Sequence, residues 1–514
     1  MTDVLHPTSG AITIGNNPSP LRECPVETTT RVAQIEPAVP GKREWLDSIR
    51  DFYERANRPP RKRWSDYYYL RIQKRLAGMI PPGTRVLEIG CGTGELLASL
   101  RPSVGVGVDL SENLVREARR RHPDLRFSTL PGESVGELGD TFDYVILSQT
   151  IGEVYDVREL LRAVQRVCHA RTRLMIVQYS RLWQPMLSLL EKLRLKRRGP
   201  EQNWLPSDEI SRLLHLGNFE TIRTFGMTPF PCYVPGLSAL VNRVLGNLPG
   251  LHHLGLSAVV VARSIDPTVI EKFRPRSASI IVPARNESGH IRQILARVPT
   301  FAPRQEIIFV EGNSTDDTWE EIQRVVGEYD GPFTVRAMRQ DGKGKGDAVR
   351  KGFAAAGGDV LMILDADISV PPEELPAFYE ALASGKGEFI NGSRMVYLMD
   401  RRAMRFLNLL GNKGFGWIFT YLLSQGFRDT LCGTKVLTRA DYRRIAAQRA
   451  YFGDFDPFGD FDLLFGAARA NLKIIDLPVH YKARTYGETN ISRFRHGWML
   501  LRMCVLAARK LKFV

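Results

Sequence analysis

Two α/β domains in series are the architecture that this sequence of 514 residues predicts. Three observations lead there. At roughly 150 residues per domain, the length suggests about three domains or two large ones. Strand-like apolar runs alternate with helical patterns, stop, and then alternate again, which is the signature of parallel sheets covered on both faces. The composition, 43% hydrophobic and 25% charged, is that of a globular chain and excludes wholesale disorder, collagen and a small disulfide scaffold.

Residues 1–44 are rich in Pro, Thr and Ser and predict a mobile leader. Trp45 to Met79 reads as helices and carries Arg61-Lys62-Arg63 and Tyr67-Tyr68-Tyr69. The first alternation has strands at Arg85–Ile89, Val104–Asp109, Tyr144–Ser148, Leu174–Gln178 and Ser257–Ala262, with helical patterns at Asn113–Arg121 and Arg158–Val167. Pro267, Pro275 and several charges mark a linker at 265–277, so the first domain is expected over 45–264. The second alternation, expected over 278–496, has strands at Ser279–Val282, Glu306–Glu311, Phe333–Met338 and Val360–Leu364. An amphipathic helix is expected at 497–514.

Several classes are excluded. No stretch of ~18 residues is apolar without strong interruption, which argues against a spanning helix. The longest uncharged run, Val244 to Ala262, is broken by Asn247, Pro249, three glycines and two histidines. It reads as loop plus core strand. Asp3 and His6 come early and no apolar core succeeds them, so no secretory signal is expected. The six cysteines are scattered without a C-x-x-C pair, which fits reduced thiols and a cytoplasmic location. The net charge of +15 admits nucleic acid, an anionic membrane surface or phosphorylated ligands without choosing among them.

Glu88-Ile89-Gly90-Cys91-Gly92-Thr93-Gly94 comes after a strand and precedes a helical pattern. Glycines let the backbone approach a ligand, and the next helix offers free N–H donors. Position 95 is Glu, so the motif is G-x-G-x-G and not the dinucleotide fingerprint. Asp109 ends the next strand, where a carboxylate can accept from both hydroxyls of a ribose. A tight turn beside an acidic strand end is the alternative. With Gly107-Val108-Asp109-Leu110-Ser111 and Phe142-Asp143-Tyr144-Val145-Ile146, the segment from Thr84 to Ser264 resembles class I S-adenosylmethionine-dependent methyltransferases, with a Rossmann-like fold. The resemblance implies that Gly90, Gly92 and Gly94 hold the amino-acid part of the cofactor, beside Glu88. It implies that Asp109 holds the ribose and that Glu133 is an adenine-side acid. Gln149, Glu153 and Tyr155 face either a methyl acceptor or a polar loop. Methyl transfer rests mainly on alignment, so no universal catalytic side chain is expected.

In the second domain Ser279-Ile280-Ile281-Val282-Pro283-Ala284-Arg285-Asn286-Glu287 runs from strand to polar loop. Gly342-Lys343-Gly344-Lys345-Gly346 opens a helix, and Val360 to Leu364 ends in Asp365-Ala366-Asp367. Two carboxylates at a strand end can hold a hard divalent cation. Such a cation can neutralise a departing nucleoside diphosphate. An ordinary acidic turn is the alternative. Taken together, Ala278 to His496 resembles glycosyltransferase family 2, of GT-A fold and dolichyl-phosphate mannose synthase type. The resemblance implies a nucleotide-sugar donor near Pro283, Ala284, Asn286, Glu287, Glu311, Lys345 and Asp365. It also implies Mg²⁺ or Mn²⁺ on Asp365 and Asp367. The family's usual Asp-Asp-Gly-Ser is Glu311-Gly312-Asn313-Ser314 here, so one base-reading carboxylate is missing. Asp462, then Asp460, in Gly459-Asp460-Phe461-Asp462-Leu463-Leu464-Phe465 are the expected general bases, unless the acceptor is already a phosphate or the acids merely cap a helix. Arg484, in Arg484-Thr485-Tyr486-Gly487-Glu488-Thr489, is placed to clamp phosphate oxygens.

Arg495, Arg502 and Arg509 form one stripe on the last helix, while Leu500, Met503, Ala507, Leu511 and Val514 fall opposite. That pattern serves an anionic membrane interface or a core-docked helix. The expected protein is a fused enzyme, peripheral at the inner membrane face. It moves a sugar, with inversion, to a polyprenyl phosphate or glycolipid, and a methyl group from S-adenosylmethionine to an unread acceptor. Two alternatives stand beside it: a glycosyltransferase whose first domain only senses S-adenosylmethionine, and a basic nucleic-acid-binding protein. The last lacks a zinc finger or RNA-binding aromatic signature, so no nucleic-acid partner is expected.

Overall fold

The computed structural model describes residues 41–55, 63–194, 196, 199–200, 202–272, 274–397, 406–451, 459, 461–482 and 493–513. The chain divides into two units, Met1–Gly41 and Lys42–Val514, and the second contains both sheets. The leader expected at the N-terminus lies almost wholly outside the described residues.

The first sheet is built from β1 (Arg85–Ile89), β2 (Val104–Asp109), β3 (Arg126–Thr129), β4 (Phe142–Ser148), β5 (Cys168–Tyr179), β6 (Phe219–Met227) and β7 (Ser257–Ser264). Their order is β3-β2-β1-β4-β5-β7-β6, with β7 antiparallel to both neighbours. The central strands are apolar on both faces: Val86, Leu87, Val145, Ile146 and Ile176 are all fully buried. That is the pattern required of parallel strands with helices above and below. The order reverses between β1 and β4, which opens a crevice at their carboxyl ends.

The second sheet has β8 (Ser277–Ala284), β9 (Arg304–Glu311), β10 (Thr334–Arg339), β11 (Val360–Ile363), β12 (Phe389–Ser393), β13 (Lys435–Thr438) and β14 (Ile474–Pro478). The order is β10-β9-β8-β11-β13-β12-β14, with β13 antiparallel between β11 and β12. Strand order again reverses at β8, between β9 and β11. A short helix, Pro267–Lys272, lies between the two sheets in sequence.

The polar contacts between the two domains come from one end of the sheets, from the amino-terminal part of β5, the start of β6 and the carboxyl end of the antiparallel β7. Arg173, fully buried early in β5, donates both to Glu388, just before β12, and to the Asn471 carbonyl ahead of β14. Lys473 pairs with Glu220 at 2.8 Å, and Arg263 donates to the Gly385 carbonyl at 2.6 Å. Burial alone would push Glu388 up, but Arg173 and Arg263 outweigh it and hold the carboxyl below its ordinary value. Arg173→Ala removes the guanidinium that binds both oxygens of that buried carboxylate. The expected cost is about 3–5 kcal/mol, read as a lower denaturation midpoint.

The last helix, Arg493–Ala507, packs Leu500, Met503, Cys504 and Ala507 into the core of the second domain. The apolar side that the sequence allowed for lipid is therefore turned inward. Arg502 lies over the exposed Trp498 ring, on the outer side. Among the described residues no helix is long and apolar enough to cross a membrane.

Candidate functional site

In the first domain, β1 delivers Glu88 and the glycine loop, and β2 delivers Asp109, to the same crevice. Gly90 has φ 75°, and a Cβ there would collide with the Thr150 side chain, so no other residue fits. Asp109 takes the Gly92 N–H on one oxygen at 2.8 Å and the Ser111 N–H on the other at 3.0 Å. Glu88 accepts from the Leu97 N–H at 3.0 Å. Burial pushes Glu88 up to about 8, against that hydrogen bond and with Asp109 adding to it. Glu133 is 9% exposed, and its Oε1 is buried without a hydrogen-bond partner. An acceptor left unsatisfied in this way suits a ligand that brings a donor, such as an amino group on a base.

Glu153 lies across the same crevice. Tyr53, on the helix Lys42–Arg55, donates to its carboxylate at 2.9 Å, and Trp45 on the same helix donates to its backbone carbonyl. Burial pushes Glu153 up to about 7, against the Tyr53 bond and with Asp109 adding to it. Gln149 sits at φ 61°, donates to the Tyr68 hydroxyl at 2.7 Å, and leaves Oε1 buried and unpartnered. Gln178 is 1% exposed, with neither amide atom hydrogen-bonded. Tyr179 stacks on Tyr68 and touches Trp204. Sequence reasoning stops at Gln149, Glu153 and Tyr155. It does not single out Gln178, although a Gln that ends an otherwise apolar strand is a visible signal. Tyr155 is exposed.

Folding favours the protonated forms of Glu88 and Glu153. Their contribution to stability is complete below about pH 4.5 and is lost as pH rises through about 7 and about 8. The ligand-free protein is expected to lose melting temperature between about pH 5 and 8, and Glu88→Gln to flatten that slope. A melting temperature flat over this range would contradict the assignment.

In the second domain, the carboxyl ends of β8, β9 and β11 and the helix Lys345–Ala355 converge. Ala284 is buried at the end of β8 beside the partly buried Pro283, and its carbonyl accepts from the Gly312 N–H at 2.8 Å. Asn286, at φ 56°, accepts from the Thr315 N–H at 2.8 Å, tying the loops after β8 and β9 together. Glu287 is buried against His290 at 2.9 Å. Glu311 accepts from the Ser314 N–H at 2.5 Å and lies 3.7 Å from Arg339. These two acids thus brace the loops around the cleft.

Lys345 Nζ lies 2.6 Å from Asp365, and both side chains are about a quarter exposed. Asp367 is partly exposed and accepts from the Ser369 N–H at 3.0 Å. Just after this acid Ile368 is held at φ 53°, an outlier for a β-branched residue that costs on the order of 1–3 kcal/mol. The two carboxylates lie at the strand-end cleft and both are partly exposed. As a pair of hard oxygen donors they fit a divalent cation. Among the described residues no group of three or more His, Cys, Asp or Glu converges on one point.

A loop that sequence reasoning passes over completes the cleft. A Cβ on Gly433 would land on the Asp365 carboxylate and the Lys345 ammonium, so the loop 428–434 closes directly over that pair. Beneath it Arg394 donates to both oxygens of the buried Asp429, at 2.7 and 2.8 Å, and Asn412 adds a third bond. Burial alone would raise Asp429, but Arg394 holds it down at about 2. Asp476 nearby is pushed up by burial to about 6. The polar run Arg428 to Lys435, set between an apolar helix and a strand, is the available signal.

Asp462 opens the helix Phe461–Arg469, where Arg449 holds its Oδ2 by two nitrogens at 2.7 and 2.6 Å. Its expected role as general base therefore competes with an ion pair. Gly459 abuts Gly346, which brings this segment to the start of the lysine helix. Asp460 and Arg484 lie outside the described residues.

Comparisons with known proteins divide the chain in the same way. Residues 279–447 match the model for glycosyl transferase family 2, and residues 61–224 match a methyltransferase domain model. A dolichol-phosphate mannosyltransferase of Pyrococcus furiosus is 37% identical over 120 residues, 23% of this chain and 33% of that one. A dolichyl-phosphate hexose transferase of Haloferax volcanii is 26% identical over 220 residues, 43% of this chain and 88% of that one. The glucosyl-3-phosphoglycerate synthase of Mycobacterium tuberculosis, solved with Mn²⁺, UDP and glucosyl-3-phosphoglycerate, is 19% identical over 48% of this chain and 83% of that one, with a TM-score of 0.34. The chain spans about a third of the length of the curated relatives it matches first.

Proposed function

We propose, for a chain that carries a methyltransferase domain and a family 2 glycosyltransferase domain, that it moves a sugar from a nucleotide-sugar donor to a lipid-borne phosphate and a methyl group from S-adenosylmethionine to a second acceptor. One observation carries the sugar-transfer reading: Asp365 meets Lys345, with Asp367 two residues further on, at the mouth of a cleft formed by β8, β9 and β11. The dolichol-phosphate relatives support a polyprenyl phosphate as the acceptor class.

The chemistry is a single displacement. An acceptor phosphate oxygen forms a bond to the anomeric carbon while the bond from that carbon to the donor diphosphate breaks. The diphosphate leaves with the electron pair, and the carbon inverts. A divalent cation on Asp365 and Asp367 would neutralise charge on the leaving diphosphate. Lys345 supplies a second positive charge on the same side. A phosphate nucleophile has little proton to lose, so the engagement of Asp462 with Arg449 is no obstacle.

For methyl transfer, the glycine loop, Asp109 and Glu133 would hold the cofactor. Gln149, Gln178 and Glu153 then face the transferred group. The unsatisfied Gln178 amide supports an acceptor that presents a donor and an acceptor side by side, as neighbouring hydroxyls do. An acceptor oxygen or nitrogen would form a bond to the methyl carbon as the carbon–sulfur bond breaks and its electron pair stays on sulfur, and Glu153 is placed to take the displaced proton. The polar contacts between the domains lie at the end of the sheets opposite the carboxyl ends of the parallel strands, where both candidate sites lie, so the reading has two separate sites and no shared chamber.

S-adenosylmethionine at about a hundredfold excess over Kd is expected to stabilise the protein by ~2.7 kcal/mol. Asp109→Ala should abolish that shift. Gln178→Leu should keep it while methyl transfer to cell-extract acceptors falls about tenfold or more. A thermal shift unchanged in Asp109→Ala would reject the cofactor site.

A further inference from the structure

The segment after β6 is amphipathic in the wrong sense for a helix in water. It forms the helical turns Leu237–Ala239, Leu240–Val244 and Leu245–Asn247. Its buried side is polar: Ser238 is 2% exposed and Asn242 is 3% exposed. Asn242 accepts from the Phe230 N–H at 2.9 Å, donates to the Phe230 carbonyl at 2.7 Å, and donates to the Tyr67 hydroxyl at 3.1 Å. Its outer side is apolar: Leu237, Leu240, Val244 and Leu245 are 40–52% exposed. A surface helix in water shows the reverse arrangement. The segment is therefore pinned by its polar residues so as to hold leucines outward.

A second stripe lies beside it. Leu182, Met186, Leu189 and Leu193, spaced by four, three and four residues, are 40–60% exposed along the turn and helix that come after β5. Trp183 Nε1 donates to the Leu254 carbonyl at 3.0 Å, joining the two stripes. Twelve of the 23 exposed large apolar side chains among the described residues fall in 182–193 and 233–254, so the exposure is a patch and not scatter. Pro249 and Gly250 share a groove with Trp417 of the second domain, itself 67% exposed, which extends the patch across both domains.

The charge around this patch has one sign. Residues 181–200 contain six Lys plus Arg and one acid, Glu191, which Lys196 neutralises. No Asp or Glu occurs between Thr228 and Ile265. Arg181, Lys192, Arg194 and Arg243 are exposed beside the leucines. Outward leucines rimmed by cations suit the headgroup region of an anionic bilayer, where the apolar side enters the acyl boundary and the cations meet lipid phosphates. We propose that the face formed by residues 182–193 and 233–254 of the methyltransferase domain docks on an anionic lipid bilayer. The proposal does not depend on which groups the enzyme transfers. It assigns membrane contact to the first domain and not to the C-terminal helix. Tyr67, which touches this face, is adjacent in sequence to Tyr68 at the methyl site, so a docked protein holds that site at the lipid surface.

The test is flotation of the full chain with phosphatidylcholine–phosphatidylglycerol vesicles, with pure phosphatidylcholine alongside. Binding is expected to the anionic vesicles and to weaken as salt is raised. The double variant Leu189→Glu/Leu240→Glu should lose about tenfold or more of it. Leu216→Glu, at a leucine that is more exposed still but lies elsewhere, should lose none, and both variants should melt as the parent does. If the double variant alone melts lower, Arg181→Gln/Arg194→Gln replaces it, with the same loss expected. Failure of the parent to float, or full flotation of the Leu189→Glu/Leu240→Glu and Arg181→Gln/Arg194→Gln variants, would overturn the proposal. So would a concentration-dependent dimer that the double variant abolishes while vesicle binding is unchanged, because the face would then belong to a second copy.

Discussion

Asp367→Ala and Asp365→Ala should each lower sugar transfer about a thousandfold or more. Stabilising the leaving diphosphate is worth several kcal/mol, and each ~1.4 kcal/mol is tenfold in rate. The geometry also bears on how the cation binds. The described residues bring two carboxylates to the cation, one of them already touching Lys345, and two carboxylates alone are a poor cage. Mn²⁺ should therefore bind weakly to the free chain and far more tightly when a nucleoside diphosphate supplies oxygens. Calorimetric titration of Mn²⁺ with and without UDP or GDP measures this directly. Tight binding without nucleotide would contradict it, as would transfer that persists in EDTA and in Asp367→Ala. Lys345→Ala should weaken donor binding while leaving the cation's dependence on nucleotide in place.

Asp429→Ala should be the most damaging single change to the stability of the second domain. It strands Arg394 in the interior, where a lone guanidinium costs about 3–5 kcal/mol. Replacing both partners, as in Arg394→Met/Asp429→Leu, should recover much of that loss, because the desolvation of two charges disappears with them. The same pair gives an acid limb. Asp429 sits below its ordinary 3.8, at about 2, so its contribution is complete above pH 4 and is lost as pH falls toward 2. Chemical denaturation at neutral pH and at about pH 3 separates the two effects. A parent protein equally stable at both would show that the pair contributes nothing.

The strands are legible where they are buried on both faces. Arg85–Ile89 and Val104–Asp109 are readable to the residue, since a continuous apolar run ended by a glycine or an acid admits few other readings. Arg126–Thr129 and Phe219–Met227 escape because edge strands carry polar residues on the solvent side. Phe389–Ser393, Lys435–Thr438 and Ile474–Pro478 escape because they are only four or five residues long and pair across large gaps in sequence. The tail is legible as amphipathic but not as to what its apolar side meets.

From the sequence alone came the two alternations, the glycine loop with Asp109, and the Asp365–Asp367 pair after its strand. These are local patterns, written in neighbouring residues, and short-range sterics and burial suffice to read them. Tertiary structure decided which side chains share a cleft: Lys345 on Asp365, Gly433 against both, Tyr53 on Glu153 from 100 residues away, and Asp462 drawn to Arg449. It also decided which apolar side chains are satisfied, burying Leu500 and Met503 of the tail while leaving Leu189 and Leu240 outside. The reason is that a contact depends on where chain folding carries distant segments, and periodicity within a segment contains no information about its partner.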